Sequence, residues 1–294
     1  MREAIFNALF HRMARDPRVF LVVADVGINL VERIRDAYPD RFLNVGIAEA
    51  NMIGVAAGLF NCGYRPVVYT ISNFAVQRCF EQIRDDISLH DYPLVILGLG
   101  TGFDNCQLGP THHIVDDWGT ARNLPGLEIH CPSSVAYAGF VLDDVLDRGV
   151  AAYVRIPKGK GLSILFDAHW TYWSVMWDMK TLLISYGNNA QSCIETQQRG
   201  QNLSWLLFNM VRPLPCHDSL IRSLSKHERI VVVEDHIAET GLYSSICQLV
   251  AANRLNVEVV SRAPDRYYRE CGDTPEHFWR KYRGDAKSLV EDFS

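Results

Sequence analysis

Asn44-Val-Gly-Ile-Ala-Glu-Ala-Asn-Met-Ile-Gly-Val-Ala-Ala-Gly58 is a run of small and apolar residues interrupted by a single acid, Glu49. It predicts a helix over about Ala48 to Phe60, whose Gly54, Ala56, Ala57 and Gly58 permit close packing against a neighbour. Taken alone, Glu49 reads as an acid at a helix N-terminus, favoured there by the macrodipole. Short β-rich runs stand on both sides, Val19-Phe-Leu-Val-Val23 before it and Pro66-Val-Val-Tyr69 after it. A further helical pattern from Ala75 to Leu89 and the run Leu94-Val-Ile-Leu97 continue the alternation. Strand and helix in turn imply a mainly parallel sheet with helices on both faces.

Working outward, Leu127-Glu-Ile-His130, a helix near Val135 to Leu146 and Ala152-Tyr-Val-Arg155 complete a first unit. The stretch from Pro157 to Trp177 mixes turn residues with aromatics and has no sustained period, so a junction is expected at about 157–178. A second α/β unit follows, with strands at Thr181 to Ser185, Leu203 to Met210, Ile230 to Val233 and Val257 to Val260, and two short amphipathic helices at its end. The expected fold is therefore two consecutive α/β domains, residues 1–165 and 166–294. At the chain's start, Arg2 to Arg15 reads as a helix with apolar residues at Ile5, Ala8, Leu9 and Met13.

A chain of 294 residues accommodates two ordinary domains, because single cores stop growing at roughly 250 to 300 residues. Its 48% hydrophobic and 21% charged residues are ordinary for a folded α/β protein. A net charge of -5 and the absence of a clustered basic surface argue against a nucleic-acid partner. No apolar run reaches the roughly 18 to 20 residues that a membrane span requires. The eight cysteines contain no Cys-x-x-Cys pair, and Met1-Arg-Glu-Ala does not open an apolar leader, which sets the expectation of a reduced, cytoplasmic location. No His/Cys set has zinc spacing. Gly98-Leu-Gly-Thr-Gly102 does not open a helix, so it reads as a turn and not as a dinucleotide fingerprint.

Three segments together carry a family likeness. Val45-Gly-Ile-Ala-Glu49, the spacing of Phe74-Ala, Arg78 and Glu81-Gln-Ile-Arg84, and Gly109-Pro-Thr-His112 resemble the pyrimidine-binding half of transketolases, over nearly the whole chain. Because no domain precedes the first helix, the chain resembles the free-standing C-terminal subunit of a split transketolase. The resemblance implies thiamine diphosphate as cofactor. Its activation needs a carboxyl group against the aminopyrimidine nitrogen, a role that falls to Glu49. Phe74 would stack on that ring and exclude water. His112 would touch the donor sugar and move protons. His113 stands where glutamine is usual.

Further positions follow from the same likeness. Asp25 matches an acid near the thiazolium, though it equally suits a turn after its strand. Arg2 and Arg155 match phosphate-binding arginines, whose forked donors suit such an anion; for Arg155 a strand-end salt bridge is the other reading. Asn29 replaces a phosphate-contacting serine. Leu108 replaces the usual aspartate before Gly-Pro-Thr-His, and Gly100 replaces a phosphate-contacting histidine. These departures imply an atypical sugar substrate.

The Gly-Asp-Gly motif with its later Asn, which holds the diphosphate and its ion, is missing: Cys271-Gly-Asp-Thr and Arg283-Gly-Asp-Ala are not followed by one. The resemblance therefore implies an N-terminal partner subunit that binds Mg2+ (or Ca2+), most simply in an α2β2 heterotetramer. The reaction implied is transfer of a two-carbon ketol unit from a ketose to an aldehyde. Decarboxylation of a 2-oxoacid, as in deoxyxylulose phosphate synthases or dehydrogenase beta chains, and a non-catalytic scaffold are the competing readings.

Overall fold

Runs of β-branched residues buried on both faces become the strands of two sheets in the computed structural model, which describes residues 1–162, 172–175, 180–199, 203–215 and 218–293. The strands are β1 Val19–Val23, β2 Phe42–Asn44, β3 Arg65–Ile71, β4 Val95–Leu99, β5 Glu128–His130, β6 Ala152–Ile156, β7 Tyr172–Val175, β8 Thr181–Tyr186, β9 Ser204–Phe208, β10 Met210–Arg212, β11 Arg229–Val233 and β12 Glu258–Arg262. The first sheet has the order β10-β5-β6-β4-β3-β1-β2 and the second β12-β11-β8-β9-β7. All pairs are parallel except β10 with β5 and β7 with β9, each at a sheet edge.

The mixed α/β class with mainly parallel sheets is as expected. One strand departs from the expected run Leu203 to Met210. It divides around the buried Asn209, and Met210–Arg212 leaves the second sheet to pair with β5 of the first. Much of the expected junction at 157–178 lies outside the described residues.

The first helix, Arg2–Arg15, buries Ile5, Phe6, Leu9 and Met13 against the helix Val135–Arg148. Arg12 and Arg15 pair with Asp143 across that contact. Each fully buried aliphatic side chain of this kind contributes about 1.5–3 kcal/mol, which outweighs exposed ion pairs of about 0–1 kcal/mol. Ser134 caps Val135–Arg148 by accepting the Tyr137 N–H at 3.2 Å, and Gly149 ends it with φ +62°.

The expected single helix from Ala75 to Leu89 is instead broken. It runs as Ser72–Val76, Phe80–Gln82, a π turn at Ile83–Ile87 and a 3-10 turn at Ser88–His90. The interruption falls at Gln77 to Cys79, where Arg78 turns toward Glu49. The expected turn at Gly98–Gly102 begins later than its first residue, because Gly98 is part of β4. A Cβ there would lie 2.6 Å from Ser72 Oγ and 2.7 Å from Tyr153 Cε2, so only glycine fits.

One apolar cluster runs from Met52 and Ile96 through Trp118 to Leu206 and Ile230, joining the two sheets into one body. Trp118 is buried in it and donates its Nε1–H to the Tyr186 hydroxyl at 3.1 Å.

Candidate active site

The strand order of the first sheet fixes where a ligand meets it. The chain moves from β1 to β2 on one side and then back to β3 on the other, a reversal at whose carboxyl ends α/β sheets place their ligands. Asp25 follows β1, Glu49 follows β2, Phe74 follows β3 and the loop with His112 follows β4. Four segments distant in sequence thus converge on one edge.

Glu49 is the first residue of the helix Glu49–Asn61 and is only 5% exposed. Its partner is Arg78, whose Nη1 donates to Oε1 at 3.1 Å and to Oε2 at 3.2 Å. The Arg78 guanidinium also lies over the Phe74 ring, 3.6 Å from its centroid, a cation–π contact. Phe74 also meets His112 edge to face, with ring centroids 5.3 Å apart. The structure therefore brings together Glu49, Phe74 and His112 in a continuous row, with Arg78 as the link.

His112 ends the 3-10 turn Pro110–His112, and its Nδ1 is 2.9 Å from Thr111 Oγ1. Burial, with Arg78 and Lys158 adding their positive charge, lowers its pKa below the ordinary 6.5. It is thus neutral at pH 7 and able to accept a proton. Asn73 donates to the Thr111 carbonyl at 3.0 Å, while its buried Oδ1 has no hydrogen-bond partner. A buried acceptor without a partner suits a ligand donor.

Other expected residues sit differently. Arg155 is buried, with 0% exposure, and its guanidinium is taken up by Asp117, at 2.7 Å from Nε and 2.9 Å from Nη2, an ion pair as in its other reading. The cause is its place in β6, flanked by β4 and β5, which turns the side chain inward. His113 is likewise buried, because the extended backbone after His112 sends it to the opposite side, edge-on to Phe103 and Phe278 at 5.1 and 4.9 Å.

Asp25 adopts φ +48° and builds its turn with Asn44, which accepts the Asp25 N–H at 3.0 Å and donates to its carboxylate at 3.3 Å. Asn29, at φ +64°, donates its N–H to Glu32 at 3.0 Å. Both are exposed, and both use the left-handed region that Asn and Asp tolerate. Arg2 opens the first helix and is half-buried. Leu108 is 59% exposed, two residues before Pro110.

Arg78 was visible in the sequence only as a spacing. Its offset of four from Phe74 would place the two on one helical face, which is the signal for their contact. Nothing in the sequence points to Asp117 as the partner of Arg155, since the two lie on separate elements. A cleft of about 1250 Å³ opens elsewhere, beside Lys158, Asn188, Glu195 and Trp279, and none of the expected site residues lines it. Among the described residues no helix is long and apolar enough to cross a membrane, and no group of three or more His, Cys, Asp or Glu is arranged to hold a metal.

The sequence profile of the transketolase pyrimidine-binding domain matches residues 1–161, and that of the transketolase C-terminal domain matches residues 175–270. The chain is 25% identical over 295 residues to one subunit of the apulose-4-phosphate transketolase of Actinobacillus succinogenes, covering 92% of this chain and 94% of that one. It is 28% identical over 244 residues to the 1-deoxy-D-xylulose-5-phosphate synthase of Dictyoglomus thermophilum, covering 79% of this chain but 39% of that longer protein. Among solved structures, a split-gene transketolase in the form of an inactive beta4 tetramer superposes with a TM-score of 0.85 at 23% identity, over 99% of this chain and 95% of that one.

Proposed function

The chain belongs to the transketolase family, and from this we propose that it is the pyrimidine-binding subunit of a split, thiamine diphosphate-dependent enzyme. It would transfer a two-carbon ketol unit from a ketose to an aldehyde acceptor. The observation that carries this reading is the row Glu49, Arg78, Phe74 and His112 along the carboxyl edge of the first sheet. Similarity to a transketolase subunit of nearly equal length supports the division into two chains.

The residues present fit the pyrimidine end of thiamine diphosphate. Glu49 is a buried acid at the crevice, Phe74 offers an aromatic face, and Asn73 Oδ1 is an unsatisfied acceptor beside them. When bound, the cofactor supplies a carbon nucleophile able to carry a ketol unit. Glu49 would hold the proton at the ring nitrogen. Phe74 would keep water from the reacting centre, and neutral His112 would accept a proton from the donor hydroxyl.

The diphosphate and its Mg2+ (or Ca2+) are assigned to a partner subunit, in an α2β2 assembly placed in the cytoplasm. Residues 1–165 would form the pyrimidine-binding domain and 166–294 the C-terminal one. Leu108 gives the acceptor side an apolar contact where an acid is usual, which supports an atypical sugar as substrate. Asp25 and Arg2 remain candidates for cofactor and substrate contact at the crevice edge. A second reading, decarboxylation of a 2-oxoacid before transfer, is favoured by the similarity to deoxyxylulose phosphate synthases.

Calorimetric titration of thiamine diphosphate with Mg2+ into this chain, alone and mixed with a candidate N-terminal subunit, tests the proposal. Tight binding in the mixture alone is expected. Tight binding to the isolated chain would overturn the split site, and a ketose against a 2-oxoacid donor then separates the two reactions.

A further inference from the structure

The loop from Gly100 to Asp116 carries His112; its base is closed by backbone hydrogen bonds between Gly102 and Ile114 and is held from both halves of the chain. At its entrance, a Cβ on Gly102 would lie 2.3 Å from Asp235 Oδ2, so the loop backbone rests directly on that carboxylate. At its exit, Arg155 Nη2 donates to the Ile114 carbonyl at 3.1 Å while the same guanidinium holds Asp117. Asp235 Oδ1 is 3.6 Å from Arg155 Nη1. One carboxylate, reached from the end of β11, therefore touches the loop's entrance directly and its exit through Arg155.

Outside this centre the Ile237 N–H donates to the Val115 carbonyl at 2.7 Å, and the Tyr267 hydroxyl donates to Asp116 Oδ2 at 2.7 Å. Phe278 stacks on Phe103 with centroids 4.4 Å apart. The tip meets both units: Gly272 donates to the Cys106 carbonyl at 3.0 Å, while Asn73 donates to the Thr111 carbonyl and Phe74 meets His112 from the first unit.

A plain contact between two units would bury apolar surface and leave out charge, because buried ion pairs are costly and often replaceable by apolar residues without loss. Here Asp117, Asp235 and Arg155 are all buried at the two ends of one loop. The best-attested use of such a buried polar group is to fix a register.

We propose that the second α/β unit is the positioning element for His112: Asp235, acting with Arg155, and the Tyr267–Asp116 hydrogen bond set the base of the loop so that the imidazole stands against Phe74. The proposal rests on the reading of His112 as the proton-moving group. Its consequence is that residues far from the crevice control the chemistry without touching substrate, as small displacements of a positioned group cost rate.

The test uses the assembled enzyme with its partner subunit and two variants. Tyr267→Phe removes one hydroxyl from a mostly exposed ring, and Asp235→Asn keeps shape but removes charge. Both are expected to lower kcat, Tyr267→Phe by about threefold to tenfold and Asp235→Asn by more, with KM for the donor and Kd for thiamine diphosphate within about twofold of the parent. The acid limb of the kcat profile should also move up, since a looser loop admits water to His112, whose facing groups are Thr111, Phe74, Arg78 and Lys158. Unchanged kcat and an unchanged acid limb in Tyr267→Phe overturn the proposal, as does a rise in cofactor Kd that matches the loss of kcat. If Asp235→Asn does not fold, Tyr267→Phe decides. If the parent enzyme transfers no ketol unit, the functional reading fails by itself, and an NMR titration of His112 in parent and variants still decides the positioning role.

Discussion

Arg78 reaches across to Glu49 with both carboxylate oxygens at 3.1 and 3.2 Å from Nη1, and in doing so lies over the Phe74 ring. A planar cation thus sits between an acid and an aromatic face, the two groups expected to receive a planar ring. Arg78 is about half exposed, so it is free to swing outward. Arg78→Gln should therefore bind thiamine diphosphate in the assembled enzyme at least as tightly as the parent, measured by calorimetry. Binding weakened tenfold or more would mean that the guanidinium stays in the ligand-bound site.

Glu49 sits at the head of an apolar helix, and its replacement removes the buried acid of the row. Glu49→Ala should lower turnover at least 100-fold, in line with loss of a positioned acid–base group, while sedimentation shows the same assembly with the partner. Activity near that of the parent would end the assignment of Glu49.

Leu108 presents an exposed apolar side chain beside the Gly109–His112 turn. Leu108→Asp should raise kcat/KM on ordinary hydroxyaldehyde acceptors by about tenfold, because a new acceptor of hydrogen bonds rewards a hydroxyl. An unchanged ratio between acceptors would show that this position does not set their choice.

Stability should depend on pH through the buried groups near the second sheet. Burial raises Glu234 from 4.5 to about 8, against the Leu242 and Tyr243 amides that favour its charged form. The native state therefore binds this proton more tightly, so the stabilisation is full below pH 4.5 and is lost as pH rises to 8. Burial lowers His236 from 6.5 to about 4, so its contribution is full above pH 6.5 and is lost as pH falls to 4. The two slopes offset each other between pH 4.5 and 6.5 and leave a net fall above it, at most about 1.4 kcal/mol per pH unit. Thermal unfolding should show Tm falling from pH 6.5 to 8, with a flatter profile in Glu234→Gln.

Most strand positions were legible because parallel strands buried on both faces read as unbroken apolar runs, as at Val19–Val23 and in Ile230 to Val233. The place of Glu49 at the head of its helix was legible because a lone acid before an apolar run marks a helix start. Arg155 was not: a guanidinium in a strand reads the same whether it meets solvent or a buried carboxylate, and Asp117 lies on a different element. His112 and His113 are adjacent in sequence, yet one faces Phe74 and the other Phe278, a difference set by backbone direction alone. Met210–Arg212 escaped notice because three residues give no period, and its pairing with β5 is a property of the folded whole.

That short strand has a consequence for the order in which the molecule is made. As the ribosome releases the chain, β1 to β6 emerge first, but the β5 edge of their sheet stays uncovered until Arg212 has followed. The first half is therefore finished late, by a piece of the second. A gene cut at the junction would deliver it with a bare backbone edge, the surface through which sheets join to strangers.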